Sequence, residues 1–356
     1  MEMPPFLYDI AVKFEFGTDQ RYKFYIKLAQ LLSNGVSLDN GLKQIANIAS
    51  RKKSTVMVSL FKRWRKNIAN GMNFGQCLSE YIPSSEAILL ETGANSGRLV
   101  EALQNTAESI EQQKKVKSAI ITAAAYPTVL MFMLIAALLL SSYKVIPTFE
   151  EIIPVEQWEG ISYMVAVVTS FVRDYSLMLG VLLMAIIFII GYTMPRWASK
   201  SRVKFDSFPP WSLYRMWQGS SFLLAVSSMM AAGVKMDEVS LGRIAKQSDP
   251  YLRTRIIALI KYITAGENLG EAMYKSGYSF PDDEIIGDLQ IYANLRGFDQ
   301  NLIWITRSWV DSLVERVGIV MKVVNTTVLM LIALVIGCLI TAFYDIFQQI
   351  QTTTGN

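Results

Sequence analysis

Residues 119–140, 175–195 and 323–344 contain no aspartate, glutamate, lysine or arginine. Each stretch is close to the ~20 residues a helix needs to cross a hydrocarbon core. A helix that is apolar on every face has no side to turn toward water. In lipid, a helix also satisfies its backbone polar groups within its own segment. Three such stretches in one chain therefore predict three membrane spans. Composition agrees: charged residues make up 18% of the 356 positions, against about 25% in soluble domains.

Charge asymmetry around the spans predicts an orientation. Lys114, Lys115 and Lys117 precede the first span, and Arg196, Lys200, Arg202 and Lys204 follow the second. The loop between them carries Glu150, Glu151, Glu156, Glu159 and Asp174 against only Lys144 and Arg173. Arg316 and Lys322 precede the third span, and no lysine or arginine follows it. The excess of basic residues on one side predicts a cytoplasmic amino end and a periplasmic carboxyl end. The opening MEMPPFLYDI has no basic region followed by an apolar run, so it does not read as a secretory signal. The net charge of +4 reads as the basic flanks of the spans and implies no nucleic-acid partner.

Two amphipathic blocks remain, and they resemble each other. SNGVSLDNGLKQIA at residues 33–46 returns about 200 residues later as AAGVKMDEVSLGRIA at residues 231–245. Gly35-Val36 matches Gly233-Val234, Leu38-Asp39 matches Met236-Asp237, and Ile45-Ala46 matches Ile244-Ala245 after one insertion. NGMNFGQCL at 70–78 is echoed by AGENLGEAM at 265–273, and Pro83 and Glu86 by Pro281 and Glu284. The periodicity is helical: Leu28, Leu31 and Leu32 share a face, and Leu38, Leu42, Ile45 and Ala49 continue the stripe. Gly35 is placed to end one helix in the left-handed region and Ser37 to cap the next. The fold class expected is all-α: three transmembrane helices and two duplicated cytoplasmic antiparallel helical bundles. Residues 155–174 are interrupted by Arg173-Asp174 and predict an interfacial helix anchored by Trp158.

The organisation predicted is an amino-terminal segment (1–17), a first cytoplasmic helical domain (18–118) and a first span (119–143). A periplasmic loop (144–174), a second span (175–195), and a basic linker with a second cytoplasmic domain (196–316) follow. The third span region (317–347) and a periplasmic tail (348–356) complete the chain.

Much chemistry is excluded by residue type. The chain has no histidine, which removes Ser-His and Cys-His pairs, HExxH zinc sites and histidine-ligated haem. Its two cysteines, Cys77 and Cys338, fall in a polar block and a span, so neither a disulfide nor a thiolate cluster is expected. No G-x-x-x-x-G-K-[ST] is present. GANSG at 93–97 lacks the order of a serine nucleophile elbow and reads as a helix turn. Asp282-Asp283-Glu284 reads as a helix start rather than a carboxylate site. The spans carry no ionisable relay, and Asn325, Thr326 and Thr327 are expected to bond to neighbouring helices. No catalytic, cofactor or metal site is expected, and no enzyme.

One cluster stands out. SLFKRWRKNIAN places Lys62, Arg63, Arg65 and Lys66 on a helix beside Trp64, with Arg51-Lys52-Lys53 extending the positive region. Such a cluster fits a face near anionic lipid or a dock for an acidic partner.

Two repeated helical blocks, each running into a span, with a further span between them, resemble the type II secretion F-domain family. Members are inner-membrane platform proteins of type IV pili and type II secretion systems. The resemblance rests on Gly35-Val36-x-Leu38-Asp39 and its second copy, and on Asn70-Gly71-x-x-Phe74-Gly75. Tyr126-Pro127 and Val145-Ile146-Pro147-x-Phe149 add to it. The short amino end is similar to the compact subgroup associated with type IVb pili. The chain departs from the family where Gly93-Ala94-Asn95-Ser96-Gly97-Arg98-Leu99 lacks the usual acidic residue. It departs again at Asn294-Leu295-Arg296-Gly297 and at Asn325-Thr326. The resemblance implies a non-enzymatic platform that contacts a hexameric cytoplasmic ATPase, pilin subunits and other inner-membrane components; three spans make a poor platform alone, so a homo-oligomer is expected. A small membrane transporter or channel subunit is the alternative; three spans without intramembrane charge argue against it.

Overall fold

The computed structural model describes residues 5–295 and 297–354. Among them every regular element is helical and no strand occurs. The first polar block begins with α1 (Pro5–Glu15), α2 (Thr18–Ser33) and α3 (Leu38–Arg51). It continues with α4 (Thr55–Ala69), α5 (Phe74–Leu78), α6 (Ser84–Asn95) and α7 (Leu99–Leu140). After α8 (Ile146–Glu150) and α9 (Gly160–Arg196), the second block follows with α10 (Arg202–Phe205) and α11 (Trp211–Ala231). Then come α12 (Glu238–Gln247), α13 (Pro250–Thr264), α14 (Leu269–Ser276), α15 (Asp283–Tyr292) and α16 (Phe298–Thr354).

The chain divides into two compact units, one of Met1–Lys117 with Met194–Val314 and one of Ser118–Thr193 with Glu315–Asn356. In the first unit, the buried positions of α3 are Leu42, Ile45, Ala46 and Ala49, the spacing of one helix face. They close on a core whose centre is aromatic. Trp64 is fully buried, with the rings of Phe16, Phe24 and Phe61 at 5.4, 5.8 and 5.4 Å between centroids. Phe16 and Val12 belong to the 1–17 segment, and both are buried in this core. Gly35 turns the chain from α2 to α3 at φ +80°, and Gly233 does the same between α11 and α12 at φ +81°. Ser37 occupies the N-cap of α3 with extended backbone, but its side chain makes no capping bond, contrary to the role expected of it.

The second block repeats the order of the first. Asn73 caps α5 by accepting from the Gly75 N–H, and Asn268 caps α14 by accepting from the Glu271 N–H, both at 2.9 Å. The Asn73 amide also reaches Asn95 at 2.6 Å, as Asn268 reaches Asn294 at 3.1 Å. Gly75 and Gly270 let backbones touch: a Cβ on either would lie 2.4 Å from a backbone nitrogen, of Glu91 and of Gln290 respectively. Asp282 accepts from the Glu284 and Ile285 N–H groups at 3.0 and 3.1 Å. Its carboxylate caps α15, in keeping with a helix start. Within the unit, α6 packs against both α11 and α12. Arg296, in the second-copy turn, lies outside the described residues.

Three helices, whose charge-free stretches fall almost wholly in the second unit, are long and apolar enough to cross a membrane. The charge-free stretches lie inside longer elements: α9 spans 37 residues and α16 spans 57. Side chains such as Phe132, Leu177, Phe188 and Met330 are exposed, as lipid-facing groups would be. A π-turn over Ser141–Val145 leads into α8. Three expectations are corrected here. Residues 160–174 form no separate interfacial helix but open α9, which runs unbroken through Arg173 and Asp174. The Arg173 guanidinium lies 3.5 Å from Glu150, so its charge is partly met within the unit. Trp158 is no surface anchor: it is 3% exposed, donates to the Ile153 carbonyl at 3.0 Å and packs with Ile146, Ala166 and Ala342. Thr326 and Thr327 donate to Lys322 and Val323 carbonyls, both at 3.0 Å. These bonds lie within α16 and not across helices, because a hydroxyl one turn along finds its own backbone first.

Candidate functional site

The basic cluster sits on α4, where Ser54 caps the helix by accepting from the Met57 N–H at 3.3 Å. Val56, Leu60, Phe61 and Trp64 bury one face, so Trp64 belongs to the core and not to the basic surface. The helix period then divides the four cations. Arg63 flanks one side, donating to the Tyr81 hydroxyl at 3.0 Å and lying 3.4 Å from the Glu80 carboxylate. Burial pushes the Tyr81 phenol up to about 12, with the Arg63 charge acting in the opposite sense. Arg65 flanks the other side and grips Asp39 with two bonds of 2.6 and 2.7 Å. Those hydrogen bonds hold the Asp39 carboxyl below its ordinary range and raise the Arg65 guanidinium. Lys62 and Lys66, one turn apart, point away from the core and are exposed. Among the described residues they have no hydrogen-bonded or ion-paired partner. Two charges of the cluster are thus available to a ligand and two brace α4.

Features that periodicity does not reveal lie deeper. Arg21 on α2 donates to both carboxylate oxygens of Glu86 on α6, at 3.0 and 3.2 Å, and Tyr25 donates to the same carboxylate at 2.7 Å. Burial raises the Glu86 carboxyl, with Arg21 and Tyr25 pulling it back. Arg21 and Glu86 of this triad line a cleft of about 620 Å³ together with Phe222, Gln247 and Leu252 of the second block. Gln247 crosses the cleft to accept from the Ser84 N–H at 2.6 Å. Apolar rings beside amides and hydroxyls give the mixed surface that protein partners use.

Arg202 reads in sequence as one of the basic flanks of the second span, but it is fully buried. It donates to Asp206 at 2.8 Å, and Arg255 and Tyr251 each donate to the other carboxylate oxygen at 3.0 Å. The Arg255 guanidinium lies 3.4 Å over the Tyr251 ring, and burial lowers its pKa. Repeat matching aligns Arg255 with Leu60, so the only signal was a charge at an apolar position of the pattern.

Residues 24–147 match the family model described as Type II secretion system (T2SS), protein F. The match takes in the first block from the middle of α2 onward, the first span and Val145-Ile146-Pro147 at the start of α8. Over 285 residues the chain is 21% identical to the toxin coregulated pilus biosynthesis protein E of Vibrio cholerae serotype O1. That alignment covers 78% of this chain and 81% of the relative.

Proposed function

We propose that this chain, whose residues 24–147 match the type II secretion system protein F model and which is 21% identical to a toxin coregulated pilus biosynthesis protein, is a non-enzymatic inner-membrane platform for pilus biogenesis. The observation that carries this reading is the domain match joined to three helices long enough to span a membrane. In this reading the amino end is cytoplasmic and the carboxyl end periplasmic, which the excess of basic residues beside the spans supports. A hexameric ATPase engages the unit built from both polar blocks, because the chain has no P-loop of its own. Motion imposed on that unit passes along the chain into the spans. Shifted spans then ease pilin transmembrane helices out of the bilayer and into the fibre. Small displacements suffice where packed interfaces have discrete arrangements. Several copies assemble to make the platform.

In vivo crosslinking of the full chain in its native membrane tests this reading. Capture of the assembly ATPase through the polar blocks and of pilin through the spans is the expected result. Solute uptake by reconstituted vesicles without any ATPase, together with no capture of either partner, would overturn it in favour of a transporter.

A further inference from the structure

We propose that the outer faces of α1 and α4 together form a docking surface for an anionic lipid bilayer. On α1, Val12 is fully buried and Phe16 is 1% exposed, whereas Ile10 and Phe14 are 49% and 88% exposed. At 100° per residue, Ile10 and Phe14 stand one turn apart on the side opposite Val12. An isoleucine and a phenylalanine in that position gain nothing from water and add nothing to the core.

The neighbouring helix supplies the charge. Glu15, at the end of α1, accepts from the Ser54 hydroxyl at the start of α4, and Phe16 packs on Trp64 at 5.4 Å. The two helices therefore lie side by side with their buried faces turned to one core. Each helix turns its other face outward, Ile10 and Phe14 on α1 and Lys62 and Lys66 on α4. Apolar side chains flanked by lysines without an acidic partner are the composition of an interfacial membrane contact. A partner protein with an acidic groove would match the lysines but leave Phe14 in a polar rim. A lipid surface takes both, the rings among the acyl boundary and the ammonium groups among the phosphates. The assignment does not depend on the platform reading.

Hydrogen–deuterium exchange of the full-length chain in nanodiscs tests it. One copy per disc is held in phosphatidylcholine alone or in phosphatidylcholine mixed with phosphatidylglycerol. We expect amide exchange in α1 to slow by about tenfold in the anionic discs, and the protection to fade at high salt. Phe14→Ser, and separately the pair Lys62→Glu with Lys66→Glu, should abolish that protection while exchange in α3 and α6 stays unchanged. Because Phe14 lies outside the core, its replacement leaves the fold intact. Equal α1 exchange in both lipids would overturn the proposal. So would protection seen only when two copies share a disc, which would identify a second chain as the occupant.

Discussion

Arg243 on α12 donates through both terminal nitrogens to one carboxylate oxygen of Glu91 on α6, at 3.1 and 3.2 Å. The two residues are separated by 152 positions, so this ion pair ties the first polar block to the second. Glu91 also accepts from Gln76 at 3.0 Å, and the second block contains the same pair with roles exchanged, Gln290 donating to Glu271 at 3.0 Å. The second pair has no counterpart of Arg243 among the described bonds.

Arg243→Ala should therefore loosen the contact between the blocks more than it destabilises either one. The pair is partly solvent-exposed, so a coupling of about 0.5–1 kcal/mol is expected from a double-mutant cycle with Glu91→Gln. Denaturation of the detergent-solubilised chain measures the cycle. Exchanging the charges, Glu91→Arg with Arg243→Glu, should recover part of the loss.

Glycines separate into three classes by what they permit. Alanine at Gly75 or Gly270 would place its Cβ 2.4 Å from helix backbone, which cannot move without displacing α6 or α15. Each change should cost about 1–3 kcal/mol or more. Gly35→Ala meets nothing within 4 Å but must hold φ near +80°, at about 1–2 kcal/mol. Gly242→Ala, in α12 with neither constraint, should be neutral or stabilising by up to about 1 kcal/mol. A melting series of the four variants gives this order or refutes it.

The orientation can be tested without touching either polar block's core. A cysteine at Glu156, in the loop between α8 and α9, should react with an impermeant maleimide from the periplasmic side of intact cells. A cysteine at Ser59, exposed on α4, should react only after permeabilisation. Cys77 is buried and can remain as an internal control. The reverse pattern would invert the topology.

What the sequence revealed and what it hid follow one physical line. Spans, helical stripes and the Gly35 and Gly233 turns are encoded by neighbours along the chain, so periodicity and charge expose them. The extent of α9 was missed because Arg173 and Asp174 look like a break. Yet Arg173 finds Glu150 and the Asp174 carboxylate at 3.5 and 3.6 Å, so the helix carries both charges through. The basic cluster was legible as a cluster, but its division was not. Asp39 and Tyr81, which engage Arg65 and Arg63, lie 26 and 18 residues away. Arg21 with Glu86, and Arg202 with Asp206 and Arg255, are similarly tertiary facts that no local pattern writes.

Asp206 is the single carboxylate between two buried guanidinium groups, 1% exposed against 0 and 2% for their side chains. Asp206→Asn leaves both arginines buried without a counter-charge. It should destabilise the unit by about 3–5 kcal/mol. Arg255→Met removes one cation and leaves the Arg202 pair intact, so its cost should be smaller, about 1–2 kcal/mol. Chemical denaturation distinguishes the two. Equal losses would mean that the second arginine, and not the carboxylate, organises the cluster.

Glu86 offers a pH signature. Burial raises its carboxyl above the ordinary value of 4.5 despite Arg21 and Tyr25, so the folded chain holds this proton more tightly than the unfolded chain does. The resulting stability is fully present below pH 4.5 and is lost as pH rises through the raised value. Glu86→Gln cannot ionise, so it should be closer to the wild type in acid and gain on it as the pH climbs toward neutral. At pH 7 the Gln variant should lie within about 1 kcal/mol of the wild type, keeping a polar acceptor for Tyr25 and Arg21. Glu86→Ala leaves both donors unmet and should cost about 1–3 kcal/mol. Denaturation of the three proteins from pH 4 to 8 tests the sign. A wild type that gains on the Gln variant with rising pH would show that the Arg21 charge outweighs burial at this site.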